Sequence, residues 1–348
     1  MLQAAIAKLT QRQDLAEDEM SEVMDHIMSG RATPAQIAGL LVALKMKGES
    51  IAEISGAART MRRHALAVPC RPGSPDDPLL DVVGTGGDGA GTFNVSTVSA
   101  LVAAGAGVRV AKHGNRAVTS SCGSADLMEA LGVELDLGPE ELARCIDRVG
   151  IGFLFAPNLH RAMRHAVGPR RELGLRSIFN LLGPLTNPAG ADCLLVGVYL
   201  PELTTPLAEV LGRLGARSAL VVHGLDGSDE VSISAPTRVS RLKDGCVREF
   251  TITPEKYGLR RAEPEQVSGG SVDQCRRHAL AVLSGRPGPR RDMVLLNAAA
   301  ALVAAGRAAE LAEGLGLAAQ AIDSGAALAK LEALAAFGRG QEPRAAQA

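Results

Sequence analysis

The sequence predicts an α/β protein, with a small all-helical domain followed by a larger domain whose mostly parallel central sheet is flanked by helices. Three observations predict it. Residues 1–68 carry only helical signals. From Leu79 onward, short apolar runs alternate with helical patterns, the order of a parallel sheet covered on both faces. Between the first apolar run and the next helix lies a loop with five glycines in eight positions, Gly84 to Gly91.

In the helical part, Thr33-Pro34-Ala35-Gln36 is a capping box with proline at the first helical position, and Gly48 ends the helix it opens. Ser50-Ile51-Ala52-Glu53 caps the next helix, expected to run to about His64. Nothing in this segment looks chemical, and Arg59, Arg62 and Arg63 read as a solvated helix face. Residues 69–78, PCRPGSPDDP, hold four prolines without periodicity and read as a linker or hinge. The α/β domain is placed at 79–348. Strands are expected at 79–83, 108–111, 152–155, 193–199 and 219–222, with helices at 125–131, 140–149 and 201–214 between them. The basic segment 161–183 is expected to be helical and to pack back on the N-terminal helices. Residues 232–272 alternate strand-like runs with turns. The tail from Arg290 reads as an Ala/Leu-rich helix pair that ends in a polar, frayed terminus.

Composition narrows the function. The net charge of −1 and the absence of tryptophan, with only two tyrosines, argue against a nucleic-acid or membrane surface. Six scattered cysteines without a CxxC pair suit reduced thiols in a cytoplasmic protein. The N-terminus turns acidic too early for a signal peptide, and the longest apolar run, 298–306, is too short to span a bilayer.

Four stretches carry chemistry. The first is DVVGTGGDGAGTFNVST, from Asp81 to Thr97: strand, glycine loop and helix N-terminus. That arrangement suits phosphate, because free amides and the helix dipole both favour negative charge. The second, from Lys112 to Asp126, sets two cations, an amide and a run of hydroxyls among glycines, which suits an anionic, oxygen-rich ligand. The third contains Arg170, whose guanidinium fork can grip a planar carboxylate. The fourth is Asp226-Gly227-Ser228-Asp229-Glu230, in which two adjacent carboxylates on a turn after a strand can bind Mg²⁺ beside substrate phosphates.

Read together and in order, GTGGDGAGTFNVST, KHGNRAVTSSCGSADLMEALG, GIGFLFAPNLH, RRELGLRSIFNLLGPLTNP and GLDGSDEVSISAPT closely resemble the anthranilate phosphoribosyltransferase family, over nearly the whole chain. Single motifs occur in pyrimidine nucleoside phosphorylases, the alternative within this fold. A non-enzymatic nucleic-acid-binding relative would need a basic groove and degraded motifs. The resemblance implies a nucleoside phosphorylase/phosphoribosyltransferase-like fold, a homodimer formed through the helical domain, and catalysis between the two domains. It implies transfer of phosphoribosyl from phosphoribosyl pyrophosphate to anthranilate with Mg²⁺. Carried over by position, Gly84, Gly87, Asp88, Thr92, Asn94, Val95, Ser96 and Thr97 would hold the phosphates. Lys112, His113, Gly114, Asn115, Arg116, Ala117, Val118, Thr119, Ser120 and Ser124 would complete the substrate site. Ser96, Asp229 and Glu230 match the Mg²⁺ ligands. Gly84, Asn115 and Arg170 match the anthranilate contacts, with His113 and His160 as neighbours of the ring. Where the family often carries a lysine among serines after the Asn-Arg pair, this chain reads Thr119-Ser120-Ser121-Cys122, leaving Lys112 to meet the pyrophosphate. No general base is expected, because the attacking aromatic amine is neutral at pH 7.

Overall fold

The chain opens with four helices, α1 (Leu2–Thr10), α2 (Glu17–Met28), α3 (Pro34–Lys47) and α4 (Ile51–His64), in a computed structural model that describes residues 1–117 and 121–340. Both capping boxes close. Thr33 Oγ1 accepts from the Gln36 amide at 3.3 Å and Gln36 Oε1 from the Thr33 amide at 3.0 Å. Ser50 and Glu53 repeat the exchange at 3.3 and 2.8 Å. Glu53 is fully buried and also accepts from the Leu15 amide and Lys47 Nζ, so one carboxylate caps α4 and ties it to two other segments. Arg62 departs from the expected solvated face. Its guanidinium turns inward and donates to the carbonyls of Leu185 (2.7 Å) and Leu214 (3.0 Å), because those chain ends leave carbonyls unpaired within its reach.

Residues 69–78 contain no helix or strand, yet they are pinned. The buried Arg109 guanidinium bonds Asp77 Oδ1 at 2.8 Å and the carbonyls of Arg71, Pro72 and Asp77 at 3.0–3.2 Å.

The sheet then builds in sequence: β1 (Leu79–Gly84), α5 (Val95–Gly105), β2 (Arg109–Gly114), α6 (Ser124–Ala130), α7 (Pro139–Val149) and β3 (Ile151–Phe155). Next come α8 (Ala156–Leu159), α9 (Arg164–Leu173), α10 (Ile178–Leu182), β4 (Cys193–Gly197), α11 (Thr204–Arg213) and β5 (Ser218–Gly224). Strands β6 (Thr237–Lys243) and β7 (Cys246–Ile252) form a hairpin at the end of the sheet, closed by Asp244 and Gly245 at φ +51° and +73°. A two-residue turn with both φ positive matches the twist of the strands it joins. The strand order is β3-β2-β1-β4-β5-β6-β7, parallel from β3 through β5 and antiparallel beyond.

The strands' two-residue alternation sorts their side chains between two faces. Leu80, Val82, Val110, Leu195, Leu220 and Val222 share a core with α5, α6 and the C-terminal helices. Leu194, Val196, Ala219 and Val221 face the other way, into a core shared with α1–α4, α10 and α11. Helix α9 packs on α2 and α3, and α10 packs on α3 and α4. The C-terminal part is four helices, α12 (Val272–Leu283), α13 (Pro289–Ala304), α14 (Leu311–Asp323) and α15 (Ala326–Gly338). The expected helix pair from Arg290 is therefore three helices. Gly325, at φ +79°, breaks the Ala/Leu-rich run that periodicity alone reads as continuous. Helix α13 is buried along nearly its whole length beneath the sheet, which is why its sequence is apolar all round. No helix among the described residues is long and apolar enough to cross a membrane. The C-terminal residues 341–348 lie outside the described residues.

Candidate active site

The strand order reverses between β1 and β4, the position at which open α/β sheets bind ligands beyond their carboxyl ends. Strands β1 and β4 end side by side on Gly84 and Gly197, paired in register. Both glycines are demanded by what lies over them. A Cβ on Gly197 would sit 1.5 Å from the Asp229 carbonyl oxygen, and one on Gly84 2.4 Å from Asp229 Oδ2. The acidic turn after β5 therefore lies directly on the switch point.

The glycine loop after β1 runs through Gly86 and Gly87 at φ +64° and +68°, and its amides turn toward that acidic turn. The Gly86 amide donates to Asp229 Oδ2 at 2.8 Å, and the Asp229 amide donates back to Asp88 Oδ2 at 3.3 Å. Asp88 also accepts from the Ala90 amide at 3.3 Å. Thr92 bridges to Ser268, fixing the far end of the loop. At the α5 N-terminus, the Ser96 amide donates to Glu230 Oε1 at 3.0 Å. Asn94 at the cap makes no capping bond; its Nδ2 reaches the Cys122 carbonyl instead, at 3.0 Å. Asn94 Oδ1 and Thr97 Oγ1 are buried without a partner among the described residues, and Val95 is buried beneath them. Unsatisfied polar atoms at a helix N-terminus beside a glycine loop are a ligand site's signature.

Below the loop lies a buried polar layer that sequence reasoning did not single out. Asp81, fully buried in the middle of β1, accepts from the His113 amide at 3.1 Å and from Asn187 Nδ2 at 2.7 Å. Burial pushes the Asp81 carboxyl up to about 6, against the pull of Lys112 and Asn187. Lys112, 2% exposed, is pulled down by burial and supported by the charges of Asp81, Glu230 and Asp229. Three carboxylates around one ammonium favour its charged form against the cost of burial. Asp229 is pushed up to about 7 by desolvation and by Asp88, and Glu230 is raised by burial and by Asp229. Such a pair is electrostatically unsatisfied until a cation joins it.

Among the described residues no group of three His, Cys, Asp or Glu could hold a metal by itself. Asp229, Glu230 and the Ser96 hydroxyl fit a hard cation that takes its remaining oxygens from a ligand, the usual situation of Mg²⁺ on a phosphorylated substrate.

Past β2, the Asn115 amide donates to Ser124 Oγ, and Ser124 Oγ donates back to the Asn115 carbonyl, both at 3.1 Å. A Cβ on Gly114 would strike Ser124 and the Phe153 ring. Arg116 pairs with Asp126 and Glu129 at 2.8–2.9 Å, so its charge is already shared, and the Ala117 amide donates to Asp126. Val118, Thr119 and Ser120 lie outside the described residues.

His113 Nδ1–H donates to the Gly183 carbonyl at 3.2 Å, and the His113 ring lies 5.1 Å from that of His160. Burial holds both below the usual histidine range, to about 3 and about 4, so both are neutral. Arg170, on the last turn of α9, stacks over Phe179 at 5.1 Å and has no carboxylate partner among the described residues. Arg176 was missed in the sequence: it lies over the Tyr199 ring at 4.5 Å and donates to the Gly87 carbonyl, crossing the glycine loop. Asn297 was missed too. Buried in α13, it pairs with both the amide and the carbonyl of Val231 at 2.8 Å, fixing the residue after Glu230. Single polar residues inside apolar runs, as in LLDVV and MVLLNAAAA, are the signal that marks Asp81 and Asn297.

Comparison with known proteins agrees with this geometry. Residues 3–65 match the helical bundle domain, and residues 76–328 the a/b domain, of the glycosyl transferase family. The anthranilate phosphoribosyltransferase of Moorella thermoacetica is 57% identical over 338 residues, covering 97% of this chain and 98% of that one. Among solved structures, the Thermus thermophilus anthranilate phosphoribosyltransferase superposes with a TM-score of 0.89 at 48% identity, covering 96% of this chain and 99% of its own. The Saccharomyces cerevisiae enzyme in complex with PRPP and Mg gives 0.87 at 29% identity, covering 97% and 98%. The chain belongs to the anthranilate phosphoribosyltransferase family.

Proposed function

We infer that the protein transfers the phosphoribosyl group of 5-phosphoribosyl 1-pyrophosphate to the amine of anthranilate. The products are N-(5-phosphoribosyl)anthranilate and pyrophosphate, in the second step of tryptophan biosynthesis from chorismate. One observation carries the reading: the glycine loop, the α5 N-terminus and the Asp229-Glu230 turn are bonded to one another at the switch point, above a buried lysine.

Gly84, Gly87, Asp88, Thr92, Asn94, Val95, Ser96 and Thr97 would line the phosphates. Lys112 and the loop amides would take the charge that builds on the departing pyrophosphate. Mg²⁺, held by Asp229, Glu230 and Ser96, would supply further charge neutralisation there. His113, Gly114, Asn115, Arg116, Ala117 and Ser124, with the undescribed Val118, Thr119 and Ser120, would complete the sugar and amine side. Arg170 would hold the anthranilate carboxylate, with His160 and His113 against its ring and Asn115 near the amine. The amine attacks as the neutral base, so the side chains orient rather than deprotonate.

The division into a helical domain (1–68, joined by 161–183), a linker (69–78) and an α/β domain (79–348) is supported by the packing of α9 and α10 on the N-terminal helices. Homodimerisation through the helical layer is supported by exposed apolar side chains there, Met46 (72% exposed) and Val167 (50%). A cytoplasmic setting is supported by six cysteines scattered through the sequence without a CxxC pair.

The test is anthranilate fluorescence with purified protein, phosphoribosyl pyrophosphate and Mg²⁺. The expected result is a loss of fluorescence that needs all three and stops with EDTA. Fluorescence that persists with folded protein, together with phosphorolysis of thymidine or uridine, would overturn the reading in favour of a nucleoside phosphorylase.

A further inference from the structure

The glycine loop is tied down at both ends. At its start the Thr85 amide donates to the Gly197 carbonyl at 2.9 Å, and Thr85 Oγ1 accepts from the Tyr199 amide at 3.2 Å. At its end Thr92 bridges to Ser268. Between these ties Gly86 and Gly87 both lie in the left-handed region, at φ +64° and +68°. Without a Cβ to hinder rotation, the peptide units there have no orientation fixed by their own residues. Something else has to set them. Asp229 does so for the Gly86 amide.

The Gly87 carbonyl is held by a residue from another part of the chain. Arg176 stands in the short connection between α9 and α10, six positions after Arg170. Its guanidinium lies over the Tyr199 ring at 4.5 Å and donates to the Gly87 carbonyl. It also covers Gly87 closely, since a Cβ there would stand 3.5 Å from Arg176 Nε and 3.6 Å from Nη2. The Tyr199 ring gives the guanidinium a face to lie on, which restricts a long side chain that is otherwise exposed. Tyr199 is itself 8% exposed and holds Thr85 through its amide. Ring, guanidinium and loop therefore form one closed set of contacts.

The Gly87 carbonyl belongs to the same peptide unit as the Asp88 amide. In a trans peptide the two point in opposite directions, so a donor on the carbonyl decides where the amide points. The Asp88 amide has no acceptor among the described residues, which leaves it free for an anion.

We propose that Arg176 is a positioning residue for the phosphoribosyl substrate: stacked on Tyr199 and bonded to the Gly87 carbonyl, it sets the Gly87–Asp88 peptide so that the Asp88 amide faces phosphate oxygens. The role rests on the reading above, in which this loop receives the phosphates. Arg176 acts through the loop and does not touch the substrate. Two arginines on one segment then serve different substrates, Arg170 the anthranilate carboxylate and Arg176 the phosphates.

The test is titration calorimetry of phosphoribosyl pyrophosphate with Mg²⁺ on full-length protein, followed by steady-state kinetics with each substrate varied. Arg176→Ala is expected to raise both the Kd and the KM for phosphoribosyl pyrophosphate ~10-fold, the scale of one lost charge-assisted bond. The KM for anthranilate should move less than ~3-fold, a split that general loosening of the fold would not produce. Arg176→Lys should stay weak, because an ammonium keeps the charge without the planar fork. Tyr199→Leu should show most of the same rise, and Tyr199→Phe, which keeps the face, should recover wild-type affinity to within ~2-fold. Combining Arg176→Ala with Tyr199→Leu should add less than ~2-fold to Arg176→Ala alone, because the pair acts as a unit. Wild-type affinity in Arg176→Ala, equal rises in both KM values, or full recovery by Arg176→Lys would each overturn the proposal. Additive losses in the double variant would overturn it too. Should Tyr199→Leu fail to fold, the two Arg176 variants still decide. Absence of binding by wild type would overturn the proposed function, whereas binding by wild type and Arg176→Ala alike overturns only the role of Arg176.

Discussion

Arg170 presents a guanidinium over an aromatic face with no acidic partner among the described residues, and burial works against its charge. A planar carboxylate would satisfy it through two parallel bonds. Arg170→Ala is therefore expected to raise the KM for anthranilate at least ~10-fold, the scale of a lost charge-assisted bond, with little change for phosphoribosyl pyrophosphate. Steady-state kinetics with each substrate varied in turn checks this, and equal rises in both would remove Arg170 from the carboxylate. Asp81 makes a different kind of prediction. Its carboxyl is raised from an ordinary 3.8 to about 6, so the folded protein holds this proton more tightly than the unfolded chain does. The stability that results is fully present below about 3.8 and is lost as pH rises through about 6, a change of about 3 kcal/mol at most. Asp81→Asn removes the titration. Denaturation curves taken between about pH 4 and pH 7 should show wild type losing stability relative to the variant by up to that amount. A constant difference across the range would mean that Asp81 titrates as an ordinary carboxylate.

At the scale of the element, the acidic turn is held from behind by a helix. Asn297 of α13 makes a two-way bond with Val231, immediately after Glu230, and also donates to its own helix at Met293. Asn297→Ala leaves a buried amide and a buried carbonyl without partners, at a cost of about 2–4 kcal/mol. With the turn unpinned, the Mg²⁺ concentration needed for half-maximal activity should rise ~10-fold, as for other residues that support metal ligands from behind. Chemical denaturation and an Mg²⁺ titration test the two halves separately; loss of stability alone would confine Asn297 to packing. The strands, the glycine loop and the two capped helices could be read in the sequence because each is specified locally, by period, by φ-permissive residues or by a box three residues long. What holds the loops against one another could not. Arg62, Asp81, Arg176 and Asn297 act on partners that are 66 or more positions away, and only folding supplies those partners. The three-helix tail was hidden for the opposite reason. Gly306 marks the first break, but the second is a single glycine, Gly325, opening an Ala/Leu-rich run that favours helix.

For the whole molecule, the issue is how the two substrate halves are kept in line. The phosphate side is built on the carboxyl ends of β1, β2 and β5, whereas Arg170 rides on α9, which packs on α2 and α3. Alignment of nucleophile and sugar therefore depends on the position of the helical layer against the sheet. Arg62 is one of the ties that fix it, reaching from α4 to the carbonyls of Leu185 and Leu214 in the α/β part. Arg62→Ala should cost about 1–3 kcal/mol, the range for losing charge-assisted bonds and leaving their acceptors unpaired. Misalignment acts on the transition state more than on either bound substrate. Accordingly, kcat should fall by ~10-fold or more while both KM values move less than ~3-fold. That pattern is distinct from the selective KM rise expected for Arg170→Ala. If Arg62→Ala lowers stability but leaves kcat unchanged, the helical layer is positioned by its apolar packing alone, and the guanidinium only fills two carbonyls.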